Sequence, residues 1–433
     1  MKNDWAGFAR ELKADRGWRV IVVAGVGYGL GLTVLPFYTL GAFVKPLEAE
    51  FGWSRGQVQG ALVALMAATL VAAWAYGWLT DRHGVRKVAL ASQVGLGIGL
   101  CLLALTPGDL RLWYAGWFVM SLLGLGTSPI TWTRGVAGWF DAGRGLALSL
   151  GLAGSGIAAL VAPAGIAFLI EHIGWRWSYV VQAAAVLLIG VPTTWFLFPR
   201  QSTRALVQQV AAPAERLGLT MREILCGWRF WVILSSCMAA GFAMAGMIPN
   251  LVPMLVDRGF APTVAASYMG VLGIAVILGR LAAGYALDRL WAPIVACLFL
   301  PWPALSCFVL AQGVADPVLI GFLVALLGLA TGAEFDLVPF ICTRYFGMRS
   351  YGRTYALQWV GFTVASGIAP ALFGHTFDVT GTYAPILYVA GALFLFAPLV
   401  LLLLGRYPAL SRPEPQGEGA QDGGVGTVLA KAG

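Results

Sequence analysis

Apolar residues gather along this chain in long blocks, such as Val20 to Val44 and Val58 to Leu79, separated by short polar or charged stretches. Each block is near or above the roughly 20 residues that an α-helix needs to cross about 30 Å of hydrocarbon. The pattern predicts twelve spans, at 20–44, 57–79, 88–106, 112–134, 145–170, 177–198, 229–256, 262–286, 292–312, 317–343, 353–376 and 382–405. A polar stretch from Arg200 to Arg229 splits them six and six. The expected organisation is an N-terminal six-helix bundle over 1–199, a central cytoplasmic loop over 200–228, a C-terminal six-helix bundle over 229–407 and a cytoplasmic tail over 408–433. The tail is rich in Gly, Pro, Glu and Gln and is expected to be disordered. The first block exceeds the roughly 7 to 15 residue apolar core of a signal peptide and lacks a small-residue cleavage site, so it is expected to stay in the membrane.

Composition narrows the class. Of 433 residues, 59% are hydrophobic and 11% charged, against about 25% charged in a soluble domain. A soluble enzyme is excluded. The six cysteines are scattered through apolar blocks without paired spacing, and read as small packing residues. The net charge of +8 follows from topology and calls for no nucleic acid. With the N-terminus in the cytoplasm, 22 of the 28 Lys and Arg fall inside, five outside (Lys45, Arg55, Arg111, Arg176, Arg258) and one, Arg280, within a span. The positive-inside rule then places both termini in the cytoplasm of a cell with this protein in its inner membrane.

The halves repeat at an offset of about 207 positions. Gly77-Trp78-Leu79-Thr80-Asp81-Arg82 after span 2 recurs as Gly284-Tyr285-Ala286-Leu287-Asp288-Arg289 after span 8, and Gly154-Ser155-Gly156-Ile157 recurs loosely as Ala365-Ser366-Gly367-Ile368. The predicted fold class is therefore an all-α membrane protein of two pseudo-symmetric six-helix bundles. Such halves place a binding site at their interface near the bilayer midplane, exposed alternately to each side.

The loop Gly77-Trp78-Leu79-Thr80-Asp81-Arg82-His83-Gly84-Val85-Arg86-Lys87 resembles the signature loop between helices 2 and 3 of the major facilitator superfamily. Gly77 would let span 2 approach a neighbour, Gly84 would allow a tight turn, and Asp81 would cap an adjacent helix N-terminus. Arg82, Arg86 and Lys87 would lie in the anionic headgroup zone. The second copy keeps Asp288 and Arg289 but loses the basic tail. The resemblance implies that these residues form conformational machinery. The passage Leu40 to Arg55, with Lys45-Pro46-Leu47-Glu48 and Glu50-Phe51-Gly52-Trp53-Ser54-Arg55, resembles the first outer loop of bacterial members of the monocarboxylate transporter and oxalate/formate antiporter branch. Arg280, followed by Gly284 and Asp288, is similar to that branch's pattern in helix 8.

Arg280 lies eight residues before Asp288, about 12 Å into the membrane at 1.5 Å per residue. A guanidinium at that depth costs at least about 2.5 kcal/mol and should face a wet cavity or a partner; its planar fork matches a carboxylate. The resemblance implies that it binds a substrate carboxylate. Animal members of the branch carry an aspartate one turn earlier, where this chain has Val276. In span 10, Glu334 and Asp336 supply carboxyl groups ten and eight residues before Arg344, again about 12 to 15 Å deep. Two positions apart, they point roughly 200° around the helix. Either is a candidate to pair with Arg280 and to take up a proton when substrate displaces it. Glu334 is the first choice.

Asn250, Tyr38 and Gln358 are further candidate substrate contacts, with Asn250 between Pro249 and Pro253, where a broken helix would free backbone groups. Tyr28, Thr33, Ser128 and Trp359 are weaker candidates. His83, His172 and His375 fall near membrane edges without metal-ligand spacing, and no phosphate-binding loop occurs, so no metal or cofactor is expected. The expected function is proton-coupled symport of a small organic monocarboxylate, with the anion, protons and the lipid bilayer as partners of a chain that works as a monomer. Anion exchange, efflux without proton symport and a non-transporting sensor remain as alternatives.

Overall fold

The computed structural model describes residues 11–12, 17–137, 139–140, 144–199, 218–287, 289–347 and 349–408. Most of the central loop, the tail and Asp288 lie outside the described residues, as do the side chains of Asp81 and Asp336. Among the described residues there is no β-strand, only one isolated antiparallel bridge between Gly218 and Gly347. That is the expected outcome in hydrocarbon, where each backbone group must find its partner within the span.

Nine helical stretches among the described residues are long and apolar enough to cross a membrane. One of them, Ala147–Leu197, has 51 residues, about 77 Å at 1.5 Å per residue, and is interrupted at Gly174 (φ 82°, ψ 164°). It contains both span 5 and span 6. Spans 1 and 4 are built in pieces. Span 1 consists of Gly17–Gly29 and Leu35–Phe51. Span 4 consists of Leu110–Gly124, a 3₁₀ turn over Leu125–Thr127 and Pro129–Ala137. Pro36 near the start of one segment and Pro129 at the start of the other cannot donate to a preceding turn. The two breaks face each other: Leu32 N donates to Thr127 Oγ1 at 2.9 Å, and that hydroxyl donates within its own span to Gly124 O at 2.7 Å. Span 9 is likewise divided into Ala292–Phe299 and Trp302–Ala311 around Pro301 and Pro303. Span 7, by contrast, runs unbroken as Trp228–Asp257 through Pro249 and Pro253, so the expected break beside Asn250 is absent.

The internal repeat is visible in the backbone. Gly52 and Gly259, 207 positions apart, close spans 1 and 7 with φ of 66° and 91°; Gly174 and Gly381, also 207 apart, take φ of 82° and 70° between spans 5 and 6 and spans 11 and 12. Large apolar side chains stand exposed on the outer surface, among them Val71, Trp74, Leu188, Phe196, Val318 and Leu399, as a lipid-facing surface requires.

The halves meet where span 5 packs on span 8, span 1 on span 7 and span 2 on span 11. Below, the 2–3 face is the side of the membrane carrying the Gly77 to Lys87 loop, and the 1–2 face is the opposite side, carrying Phe51 to Arg55.

Candidate functional site

Spans 8 and 10, Pro262–Leu287 and Pro317–Phe346, pack more closely than side chains normally allow. A Cβ on Gly332 would stand 2.7 Å from Arg280 N, so the absence of a side chain at Gly332 sets the approach of the two helices. Arg280 and Glu334 are thereby carried into the same layer, each 4% exposed. Both carboxyl oxygens of Glu334 are buried without a hydrogen-bond partner among the described residues. Tyr28 and Tyr38 of span 1 are buried and lie within electrostatic range of the Arg280 guanidinium. The electrostatics thus connect span 1 of one half to span 8 of the other.

Glu334 lines a small recess with Cys237, Tyr355, Gln358, Trp359 and Phe362. Its volume of about 20 Å³ accommodates a water molecule. Gln358 Nε2 donates to Phe230 O at 3.3 Å, while Gln358 Oε1 is buried and unpartnered among the described residues. A carboxylate without hydrogen bonds in a dry interior is costly to hold ionised. Glu334 and Gln358 both line the recess. Val276, buried among apolar side chains, offers nothing to this chemistry.

Of the sequence-predicted substrate contacts, Arg280, Tyr38 and Gln358 fall around this centre, and Asn250 does not. The fully buried Asn250 exchanges side-chain hydrogen bonds with Gln59 of span 2, its Nδ2 donating to Gln59 Oε1 at 3.1 Å and to its own helix at Gly246 O at 2.8 Å. It joins the halves to each other. Thr33 and Ser128 sit in the breaks of spans 1 and 4.

Sequence patterns missed a second cluster, at the 1–2 face. Ser54 and Gln57 form a capping box that starts the short helix Arg55–Gln59, and this directs Arg55 across the interface, where its side chain is 2% exposed. The guanidinium grips Asp257 at the end of span 7 through both carboxylate oxygens, with Nη2 at 2.8 Å from Oδ1. It also donates to Tyr383 Oη at 3.0 Å and stacks 3.6 Å from the Phe377 ring centroid. Asp378 accepts from the Arg55 and Gly56 amides at 3.0 and 2.9 Å, and Lys45 Nζ adds a 2.9 Å contact to Asp257. These hydrogen bonds and ion pairs join the two halves. In sequence the signal was limited to opposite charges on one face; Arg55 and Asp257 are 202 positions apart.

Glu50 occupies the place in the first half that Asp257 holds in the second, 207 positions earlier, yet it pairs within its own half. Trp175 Nε1 donates to Glu50 Oε2, and Arg176 Nη1 lies 2.6 Å from Oε1. The indole hydrogen bond chiefly, with the Arg176 guanidinium beside it, holds the Glu50 carboxyl below its ordinary range despite slight burial.

At the 2–3 face, Gly84 has φ 82° and ψ 154°, the turn expected of it. Among the described residues Gly77 makes no close helix approach: a Cβ there would meet only Arg134 Nη2, at 3.9 Å. Its carbonyl instead accepts from Arg134 Nη1 at 2.9 Å. Arg82 stacks 5.2 Å from the Trp78 ring, and Arg86 donates to Trp195 O at 2.6 Å. In the second copy, Arg289 folds back 3.5 Å over the Tyr285 ring. The caps expected of Asp81 and Asp288 lie outside the described residues. No group of three or more His, Cys, Asp or Glu able to hold a metal occurs among the described residues.

A helical membrane protein of two repeated halves, with buried charges between them, has the architecture of a secondary transporter. The family model of the Major Facilitator Superfamily matches residues 20–370, and the chain belongs to that superfamily. Among curated proteins it is similar to monocarboxylate transporter 11 of Mus musculus, 24% identical over 412 residues that cover 90% of this chain and 88% of the relative. Monocarboxylate transporter 13 of Rattus norvegicus is 25% identical over 427 residues, 93% of each chain. An uncharacterized MFS-type transporter of Escherichia coli, YhjX, is 22% identical over 350 residues, 76% of this chain and 81% of the relative. The chain is a multi-pass membrane transporter of a small molecule, and not an enzyme.

Proposed function

We propose that this protein carries a small organic monocarboxylate together with a proton by alternating access, working as a monomer in the cell inner membrane with both termini in the cytoplasm. The observation that carries this reading is Glu334: a carboxyl group buried in the membrane without a hydrogen-bond partner among the described residues, on the helix packed against the one that bears Arg280. The Arg280 guanidinium receives the substrate carboxylate through paired hydrogen bonds, with Tyr38 and Gln358 as neighbouring contacts. Glu334 carries the proton, reached by water through the adjoining recess, and Asp336 is the second candidate for that role. The names of the similar proteins, monocarboxylate transporters among them, support the substrate class.

The halves on this reading are 1–199 and 229–407. The Arg55 cluster holds them shut at the outer, 1–2 face, so the state described is closed to the outside. Asp81, Arg82, Gly84, Arg86 and Arg289 act at the opposite face in the changeover, together with Gly77 and Asp288. Uptake of labelled lactate and pyruvate into proteoliposomes, with and without an inward proton gradient, tests the proposal. The gradient is expected to stimulate uptake of at least one acid in the intact protein, and Arg280→Ala to abolish it. Equal uptake by Arg280→Ala contradicts the reading.

A further inference from the structure

The end of span 6 leaves a carbonyl without a donor of its own. The last helical segment, Val191–Leu197, is followed by Pro199, and the residue that would donate to Trp195 O one turn on is that proline, which has no N–H. Arg86, at the start of span 3 (Val85–Ala104), supplies the donor. Its Nη2 lies 2.6 Å from Trp195 O, and its guanidinium 5.1 Å from the Trp195 ring centroid. Phe198 holds this end of the span in place, buried beside Trp132 with ring centroids 6.4 Å apart.

Capping accounts for Arg86 and leaves Arg19 unexplained. Arg19 belongs to the first segment of span 1, Gly17–Gly29, and with Arg86 and residues 195–199 it lines one pocket of about 310 Å³ at the 2–3 face, a volume in the range of small-ligand sites. Its contact among the described residues is the Trp18 ring, 5.5 Å away. Neither arginine forms an ion pair among the described residues, and the Nε of each is buried without a hydrogen-bond partner among them. No Asp or Glu among the described residues lines the pocket. Two guanidinium groups around one pocket repel each other, and an anion between them turns that repulsion into attraction.

The surroundings narrow the class of anion. Trp195 and Phe196, on the same end of span 6, are 52% and 75% exposed, and two turns deeper Leu188 and Ile189 continue the exposed apolar strip. Trp18, 46% exposed, adds an aromatic group of the kind that marks the membrane interface. A cationic pocket at the rim of the membrane with an apolar strip below it matches an amphiphile, and basic pockets between spans are where acidic lipid heads bind. We propose that Arg19 and Arg86 hold a phosphate group, carried as the phosphodiester of an anionic phospholipid whose chains lie along span 6 in the leaflet at the 2–3 face. The planar guanidinium suits phosphate oxygens.

The test titrates the melting temperature of the full chain, delipidated in detergent, with dioleoylphosphatidylglycerol, dioleoylphosphatidylcholine or inorganic phosphate. The phosphatidylglycerol is expected to raise it saturably and the phosphatidylcholine not to. Arg19→Gln and Arg86→Gln are each expected to weaken the apparent affinity for phosphatidylglycerol about fivefold. Arg289→Gln, which removes the same charge from an exposed arginine at the same face of the other half, is expected to change it less than about twofold. Saturation by inorganic phosphate at matched concentration, lost in Arg19→Gln, assigns the pocket to a free phosphate and overturns the lipid. No saturable shift with phosphatidylglycerol, or an equal loss in Arg289→Gln, overturns the site. Should Arg86→Gln not fold for want of its cap, Arg19→Gln decides.

Discussion

Arg55 and Asp257, from opposite halves of the molecule, are locked in a two-pronged ion pair at the 1–2 face, with the guanidinium 2% exposed. Asp257 is a quarter exposed, so the pair is only partly removed from water, and its worth depends on the further contacts from Tyr383, Phe377 and Lys45. Removing either partner should free the halves at this face. Arg55→Met and Asp257→Asn are expected to increase amide hydrogen exchange over 45–60 and 250–257, with a coupling energy in a double-mutant cycle of about 1–3 kcal/mol. Unchanged exchange in both variants would show that the halves are held elsewhere.

Asn250 and Gln59 reinforce the same closure through their reciprocal amide contacts. Asn250→Ala should therefore change the maximal transport rate several-fold while the substrate KM stays within about threefold. A large rise in KM with an unchanged rate would return Asn250 to the substrate site.

Glu50 carries a pH signature. Its folded carboxyl is held below the ordinary value of 4.5 by Trp175 and Arg176, so its stabilisation is fully present above that value and is lost as pH falls through the lower, folded value. The melting temperature of the intact protein in detergent should drop more steeply between about pH 5 and 3 than that of Glu50→Gln. Parallel curves would mean that the Trp175 contact does not favour the ionised form.

Gly332 controls the spacing of the helices that bear Arg280 and Glu334. A methyl group there would stand 2.7 Å from Arg280 N, forcing spans 8 and 10 apart at a cost of about 1–3 kcal/mol. Gly332→Ala is expected to lower both thermal stability and transport, whereas Gly284→Ala, at a position with nothing within 4 Å among the described residues, should leave stability within about 0.5 kcal/mol. Equal behaviour of the two would contradict the close packing.

Sequence alone made the apolar helical spans and the repeat legible, because the bilayer imposes length and polarity rules on every segment. The breaks in spans 1 and 4 were hidden, since the Leu32 amide finds its acceptor in the Thr127 hydroxyl only after the helices meet. The same limit concealed the Arg55 cluster: in sequence Arg55 was one of five outer basic residues and the end of the Leu40 to Arg55 passage, and nothing in a single sequence pairs it with Asp257. Asn250 was drawn toward the substrate by its flanking prolines, but span 7 stays helical through both.

The central claim is that Glu334 carries a proton with the acid bound at Arg280. The direct measurement is of proton movement: a carboxylate the protein transports is added to proteoliposomes without a pH gradient, and external pH is followed for the intact protein, Glu334→Gln and Arg280→Ala. The account predicts external alkalinisation with the intact protein, none with Arg280→Ala, and none with Glu334→Gln even where that variant still exchanges labelled acid across the membrane. Alkalinisation by Glu334→Gln at the rate of the intact protein would contradict it.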